Sequence, residues 1–485
     1  MSICFSRVKS DAFELVCNFY EEVITDMQSR GLTQWDLNVY PTTQILKADI
    51  KGRHLYRMDD GDQLVATFVL SAVDDAEYSQ LAWHYGISPA TLHRFAIAPS
   101  FYGTGVASRA LTFIKQEALT LGYDSLRIDV CQEEEPMIQL YTSEMLREVG
   151  GITFDDSDVK YTCFETPLSD DCPMLPIRMF PAYRHGEMTP WGADTLRTIY
   201  QKPIPDDRTG EALEISAIKD LESVTSIGET LTSLVQKNRK GIMGDFADDE
   251  FPLLLKLLAA KGSLSVQVHP GDVYAREHEG KLGKTEAWVI LHAEEGASIL
   301  YGIKDGVTLE MLGKALHSGE DVEPMIQRVQ VKAGDVFYMP SGMVHAIGGG
   351  ILLYEIQQSS DVTYRLWDFN RTNDKGEKRP LHIQQSLDVI DPALLGSRAV
   401  MPKSGNNEVT TLLDVPAFKL SCALVNGECA LAPNPKGFRM LTALSSLLLS
   451  WEGDVMPLSA GTSVLLPASC PALTLTGVGR ALISQ

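Results

Sequence analysis

The stretch Val266-Gln267-Val268-His269-Pro270-Gly271-Asp272 sets two side chains able to ligate a metal, Gln267 and His269, into a segment whose valines belong in a buried strand. Side chains alternate across a strand, so Gln267 and His269 share one face while Val266 and Val268 share the other. A lone histidine at such a place is commonly a core residue with its hydrogen bonds met. The rest of the chain decides between the two roles.

Two residues downstream could complete a site. Glu286 follows in Gly283-Lys284-Thr285-Glu286-Ala287-Trp288, and His345 ends Met339-Pro340-Ser341-Gly342-Met343-Val344-His345. Two imidazoles, a carboxylate and an amide oxygen make a donor set suited to zinc, with iron, cobalt or manganese as alternative occupants. Absence of a thiolate from the set, and room for substrate or water between strands, point to a catalytic rather than a structural ion. His278, His292, His317 and His382 show no paired spacing and read as surface or core residues.

Around this stretch the chain reads as a long series of short strands and turns, preceded by a short helical part that includes Phe251-Pro-Leu-Leu-Leu-Lys-Leu-Leu-Ala-Ala. Such a pattern predicts a barrel or jelly roll, in which closure hides strand edges and leaves an interior pocket. Ala333 to Pro340 is echoed by Ala460 to Pro467; His345 lies five residues beyond the first copy, whereas Ala472 lies five beyond the second. The second copy reads as scaffold without chemistry.

The run Glu165-Thr-Pro-Leu-Ser-Asp-Asp-Cys-Pro-Met-Leu-Pro carries three prolines, which remove backbone donors and disfavour helix before them, so a domain boundary is expected at about 168 to 173. Before it, strands and helices alternate. Leu64 to Ser71, His93 to Ala98 and Leu126 to Val130 read as strands. Between the last two, a helix over about 105 to 121 puts Ala107, Ala110, Leu111, Ile114, Ala118 and Leu121 on one face and stops at Gly122. This first part is α/β. It contains Tyr102-Gly103-Thr104-Gly105-Val106-Ala107, a strand-to-helix turn whose two glycines would let backbone amides and a helix N-terminus approach a phosphate, or simply make a tight turn.

At 485 residues the chain is long enough for two or three domains, each able to bury a core. Its eight cysteines are scattered without a CxxC pair, as in a reducing compartment. Neither a secretory leader nor an apolar run of roughly 18 residues is present, so a cytoplasmic protein with no membrane partner is expected. A net charge of −22 with no basic stripe argues against nucleic acid.

From about 173 to 485 the sequence resembles the type I mannose-6-phosphate isomerases in their short bacterial form, through Pro190-Trp191-Gly192, Gly210-Glu211-Ala212-Leu213-Glu214-Ile215-Ser216, Leu264-Ser-Val-Gln-Val-His-Pro, Gly283-Lys-Thr-Glu, Pro340-Ser-Gly-Met-Val-His-Ala-Ile-Gly and Thr363-Tyr364-Arg365-Leu366-Trp367-Asp368. That resemblance implies a zinc-bearing cupin-type barrel to about 395, and a metal-free cupin-like unit over about 400 to 485. Gln267, His269, Glu286 and His345 would hold one zinc, with Lys284 and Arg365 lining a site for mannose 6-phosphate and fructose 6-phosphate. A proton moved between C1 and C2 passes through an enediol whose oxyanion needs fixed positive charge, and a forked, permanently charged Arg365 suits either that or the phosphate.

Residues 1 to about 168 resemble the GNAT family of N-acetyltransferases, through an N-terminal helix pair, His93-Arg-Phe-Ala-Ile-Ala-Pro, the glycine turn with its helix, Ile128-Asp-Val and Leu140-Tyr141. The resemblance implies that Gly103, Thr104, Gly105, Val106 and Ala107 bind the pyrophosphate of acetyl-CoA. It also implies that the backbone of Phe95, Ala96 and Ile97 aligns the pantetheine arm, and that Tyr141 protonates the departing thiolate. The acetyl acceptor would be an unspecified amine. This sequence has Tyr102 where the family usually has Arg or Gln, Glu134 near a usual Asn and Met137 near a usual small residue. The run Glu133-Glu134-Glu135 reads as a solvated loop or as a lure for a cationic amine. These departures keep open a second expectation, an isomerase carrying a non-catalytic acetyl-CoA-sensing or assembly module.

Overall fold

The computed structural model describes residues 3–485 apart from 145, 155–157, 170–171, 227, 247–249, 373–374, 404–406 and 452–453. The chain divides into two compact units, Met1–Leu175 and Pro176–Gln485. None of the eight cysteines is in a disulfide, and among the described residues no helix is long and apolar enough to cross a membrane.

The first unit is built on a seven-stranded sheet in the order Ile3–Arg7, Leu55–Asp60, Gln63–Ser71, Pro89–Ile97, Ser125–Cys131, Lys160–Pro167 and Arg147–Thr153. Helix Val106–Thr120 buries Val106, Ala110, Leu111, Ile114 and Ala118. Leu121, which periodicity places on the same face, lies past the helix end and is exposed. Gly122 adopts a positive φ of 90°, as a helix stop requires. Pro89–Ile97 and Ser125–Cys131 run parallel, paired from Pro89 with Ser125 to Leu92 with Ile128. Beyond those residues the ladder ends, although both strands continue. Arg94, at φ 51°, bends the first of them away, and the gap between the strands becomes the mouth of a cavity.

The proline-rich run differs from a free linker in its described part. Gly86 N–H donates to Pro173 O at 2.8 Å, Leu175 N–H donates to His84 O at 3.0 Å, and Met174 bridges to Tyr85. Residues 172–175 therefore pack onto the first unit, and the division falls after Leu175 rather than at 168 to 173.

In the second unit, one seven-stranded sheet runs Ser397–Val400, Asp335–Met339, Glu286–Ala293, Ile351–Gln358, Leu253–Ala260, Glu211–Ile215 and Ala182–Arg184. A five-stranded sheet runs Ile326–Gln330, Ser298–Ile303, His345–Ile347, Val266–Val268 and Tyr364–Trp367. The two share a core in which Trp288, Phe337, Met339 and Leu353 from the first meet Ile299, Tyr301 and Ile347 from the second. A third sheet contains Glu408–Val415, Phe418–Leu431, Leu473–Ser484, Arg439–Ala443, Ser463–Leu466 and Ile177–Met179. Its core is aliphatic, with Leu441, Leu449 and Leu475 at its centre.

Another sequence expectation fails. Leu253–Ala260, read as part of a helix, is a strand with all eight residues buried, hydrogen-bonded between Ile351–Gln358 and Glu211–Ile215. A central strand covered on both faces loses its two-residue alternation and reads as an unbroken apolar run, which periodicity cannot tell from a buried helix.

Candidate functional site

Strand pairing explains why distant residues meet in the second unit. Gln267 lies opposite His345 on one side and Arg365 on the other, so these three sit in a row across neighbouring strands. His269 follows the end of Val266–Val268, and Lys284 N–H donates to Pro270 O at 3.0 Å, bringing the Lys284–Glu286 segment alongside. The ligand-capable atoms of His269, Glu286 and His345 all lie within 4.8 Å of one another, in full burial. His269 Nε2 is 3.5 Å from Glu286 Oε2, and His345 Nε2 is 3.3 Å from Oε1. The amide of Gln267 reaches within 3.5 Å of His345 Nε2.

The ring orientations carry chemical information. His269 Nδ1 lies 3.0 Å from Val362 O and His345 Nδ1 lies 2.9 Å from Met343 O. A carbonyl can only accept, so each Nδ1 is the protonated nitrogen and each Nε2 turns a lone pair towards Glu286. Burial keeps both imidazoles neutral, with His269 pushed down to about 3 and His345 also lowered. Burial alone would raise Glu286, yet the Lys284 ammonium beside it holds it well below the usual carboxylate range. Lys284 Nζ stands 2.9 Å from Glu286 Oε2 and 3.1 Å from His269 Nε2. Both Glu286 oxygens are otherwise buried without a well-directed hydrogen bond. Converging lone pairs with locked tautomers and an under-satisfied buried carboxylate fit a metal ion.

A cavity of about 210 Å³ opens beside this cluster, with Gln267, Lys284 and Arg365 on its wall. Burial would lower Lys284, but Glu286, Glu355 and Glu211 keep its ammonium charged. Arg365 donates Nη1–H to Pro380 O at 2.9 Å and, among the described residues, its buried Nε has no partner. Its neighbour Arg379 is held by Asp368, so Arg365 is the guanidinium with donors to spare. Burial and the nearby charge of Arg379 both lower Arg365, a repulsion that an entering anion would relieve.

A line of buried charges not foreseen from the sequence backs this cavity. Arg184 meets Glu211 at 3.1 Å, Glu211 meets Lys256 at 3.7 Å, and Lys256 meets Glu355 at 3.1 Å. The legible sign was Lys256, one cation inside an apolar strand.

In the first unit a cavity of about 990 Å³ is lined by Phe95, Ala96, Ile97, Gly103, Gly105, Val106, Ala107 and Tyr141 among others. Thr104 is the exception among the expected residues: its hydroxyl donates to Phe101 O at 2.7 Å, closing the turn, and it is not on the wall. Gly103 and Gly105 take positive φ values of 73° and 78°, and a Cβ at either would meet no atom within 4 Å, so the turn presents open backbone. Helix Val106–Thr120 starts directly after it without a side-chain cap. Tyr141 is buried, and burial pushes its phenol far above its usual range, so it holds its proton. The acidic run is a solvated loop only in part: Glu133 and Glu135 are exposed, but Glu134 is paired to Arg30 at 2.9 Å and Glu135 begins helix Glu135–Ser143.

Comparison with known proteins agrees with this division. Residues 189–295 match the family described as phosphomannose isomerase type I, catalytic domain, and residues 18–145 match the acetyltransferase (GNAT) family. A mannose-6-phosphate isomerase of Streptococcus mutans is 47% identical over 250 residues, covering 49% of this chain and 76% of the relative. A mannose-6-phosphate isomerase of Bacillus subtilis is 37% identical over 303 residues, covering 61% of this chain and 95% of the relative. The crystal structure of mannose 6-phosphate isomerase from Bacillus subtilis superposes with a TM-score of 0.59 at 33% identity, covering 64% of this chain and 99% of that one. A sequence matched over nearly the full length of such relatives settles its kinship: the chain belongs to the mannose-6-phosphate isomerase family and carries, ahead of that region, a GNAT acetyltransferase domain.

Proposed function

We propose that the second unit interconverts mannose 6-phosphate and fructose 6-phosphate at a zinc site made by Gln267, His269, Glu286 and His345, within paired sheets that form a cupin-type barrel. The observation that carries this reading is the buried convergence of two imidazole lone pairs on Glu286 beside a cationic cavity. Zinc, when bound there, supplies Lewis-acid polarisation of the sugar oxygens. The chain's own residues do the rest. Arg365 offers its spare donors to the phosphate or to the oxyanion of the enediol, and Lys284 adds a second fixed positive charge on the same wall. Strand Tyr364–Trp367 holds Arg365, and the bond from Lys284 N–H to Pro270 O holds the Lys284 segment, before substrate arrives. The test is elemental analysis of the purified full chain together with an assay of mannose 6-phosphate turnover. One zinc per chain and turnover are expected; a metal-free chain that isomerises the sugar phosphate would refute the site.

The first unit we read as an acetyl-CoA-dependent N-acetyltransferase, supported by the open glycine turn and by the buried, protonated Tyr141 on one cavity wall. Tyr141 is suited to protonate the departing thiolate. Calorimetric titration of acetyl-CoA into the full chain tests it. Gly105→Val places a β-branched residue at φ 78° in the path of the phosphates. It is expected to weaken acetyl-CoA binding about tenfold or more while leaving isomerase turnover unchanged. Binding without turnover of any amine would favour a sensing or assembly module instead.

A further inference from the structure

The two strands that splay to open the large cavity part company after Leu92 and Ile128. The next residues on each, His93 and Asp129, therefore face the point where the gap begins. Asp75 joins them, and the ligand-capable atoms of Asp75, His93 and Asp129 all lie within 4.8 Å of one another on the cavity wall. His93 has a side chain only 9% exposed, and its Nε2 lies 3.0 Å from Val73 O, which can only accept. Its proton is therefore on Nε2, and Nδ1 presents a lone pair. That lone pair is 3.6 Å from Asp75 Oδ2, too far for a hydrogen bond. Three acceptors thus converge, and among the described residues the side-chain donor to them is the Tyr78 hydroxyl, bonded to Asp129 at 2.7 Å.

Nearby cations are already committed. Arg94 bonds to Asp49 and to Tyr40, Arg127 to Asp74, and Arg30 to Glu134. Among the described residues, neither Asp75 nor Asp129 has a lysine or arginine within salt-bridge distance. Burial raises both carboxyls, and neighbouring carboxylates add to the rise, Glu77 and Asp74 at Asp75 and Asp75 itself at Asp129. Asp75 is 42% exposed and keeps one side of the cluster open to the cavity, while the His93 lone pair and Asp129 lie deeper, where a ligand that brings positive charge is favoured.

We propose that Asp75, His93 and Asp129 bind the ammonium group of the acetyl acceptor, so that the first unit acts on a cationic aliphatic amine with His93 Nδ1 as its proton acceptor. The proposal rests on the acetyl-CoA reading of the same cavity. A docked ammonium gives one proton to Nδ1, and the freed nitrogen bonds to the thioester carbonyl carbon. The C–S bond then breaks with its electron pair on sulfur. Tyr141 protonates that sulfur, and the second proton of the new amide nitrogen returns to the Tyr141 phenolate. The products are the amide, the free thiol and one proton on His93, which passes to solvent. Asp75 and Asp129 stay ionised throughout and hold the charge.

The experiment uses the full chain with saturating acetyl-CoA and, as probes, n-butylamine, 1,4-diaminobutane and lysine methyl ester, with aniline and n-butanol as neutral counterparts. The alkylammonium probes are expected to be acetylated and the neutral ones not. Asp75→Asn, a change at a partly exposed side chain, is expected to raise KM for the amine at least tenfold with acetyl-CoA affinity unchanged. His93→Gln should lower kcat about a hundredfold or more, within the range of a lost general base. Retained acetyl-CoA binding by each variant reports that the unit is folded. Acetyl-CoA binding with no turnover of any alkylamine, or equal turnover of aniline unaffected by Asp75→Asn, overturns the ammonium site alone. Failure to bind acetyl-CoA overturns the acetyltransferase reading with it. Three such donors could also take a divalent ion, so amine turnover lost to a chelator and restored by manganese would likewise overturn the proposal.

Discussion

His345→Ala is expected to lower isomerase kcat/KM by more than about 100-fold and, on the proposed zinc site, to abolish zinc binding. Loss of a residue that merely orients a metal ligand costs about 10- to 100-fold, and His345 would be a ligand itself. The side chain is 1% exposed, its Nδ1 is fixed by Met343 O, and its Nε2 is 3.3 Å from Glu286. Alanine removes one of two lone pairs that face the carboxylate and leaves a buried gap beside Trp288, whose ring is 5.4 Å away. Stability falls as well, so circular dichroism and thermal unfolding must accompany the assay. A second comparison separates the two effects: chelation of the wild-type chain should abolish turnover without the cavity, and added zinc should restore it. A folded His345→Ala chain that keeps its zinc and its full rate would remove His345 from the site.

How much of this was legible from sequence depends on how each residue is positioned. Gln267 and His269 could be read together because a strand repeats every two residues, and the Gln267 position between His345 and Arg365 follows from pairing the same short strand on both sides. The glycine turn was readable because positive φ selects glycine. Thr104 was not separable from its neighbours, since only the folded turn shows its hydroxyl bonded back to Phe101. The cluster of Asp75, His93 and Asp129 was invisible for a different reason. It comes from a loop and two strands, and depends on where a parallel ladder stops, a property of the sheet rather than of any local pattern. Glu134 was misread because its partner Arg30 lies 104 residues away.

The strand Leu253–Ala260 shows the same limit and leads to the second large effect. A lysine within an apolar run reads as a polar edge if the run is a helix. In a central strand it is a charge with no route to water, and Lys256 is 4% exposed. Glu355 lies directly across the ladder from it, at 3.1 Å, and Glu211 is 3.7 Å away on the other side. Lys256→Met is therefore expected to destabilise the second unit by about 3–5 kcal/mol, the usual consequence of breaking a buried pair from one side. The two carboxylates will not respond alike. Glu211 keeps Arg184 at 3.1 Å, whereas among the described residues Glu355 keeps the neutral Trp288 indole N–H at 3.2 Å and the more distant Lys284 charge. Burial already raises Glu355, and loss of Lys256 removes the strongest charge opposing that rise. A carboxyl whose folded pKa lies above its unfolded one favours the native state at low pH and loses that support as pH rises through the folded value. The deficit of Lys256→Met should accordingly widen from acidic to neutral pH, and adding Glu355→Gln should recover part of it. Denaturant unfolding of the full chain, followed by tryptophan fluorescence and by loss of isomerase turnover at several pH values, measures this. A deficit under about 1 kcal/mol, independent of pH, would mean that water reaches Lys256 and that the line of buried charges behind the cavity is not closed to solvent.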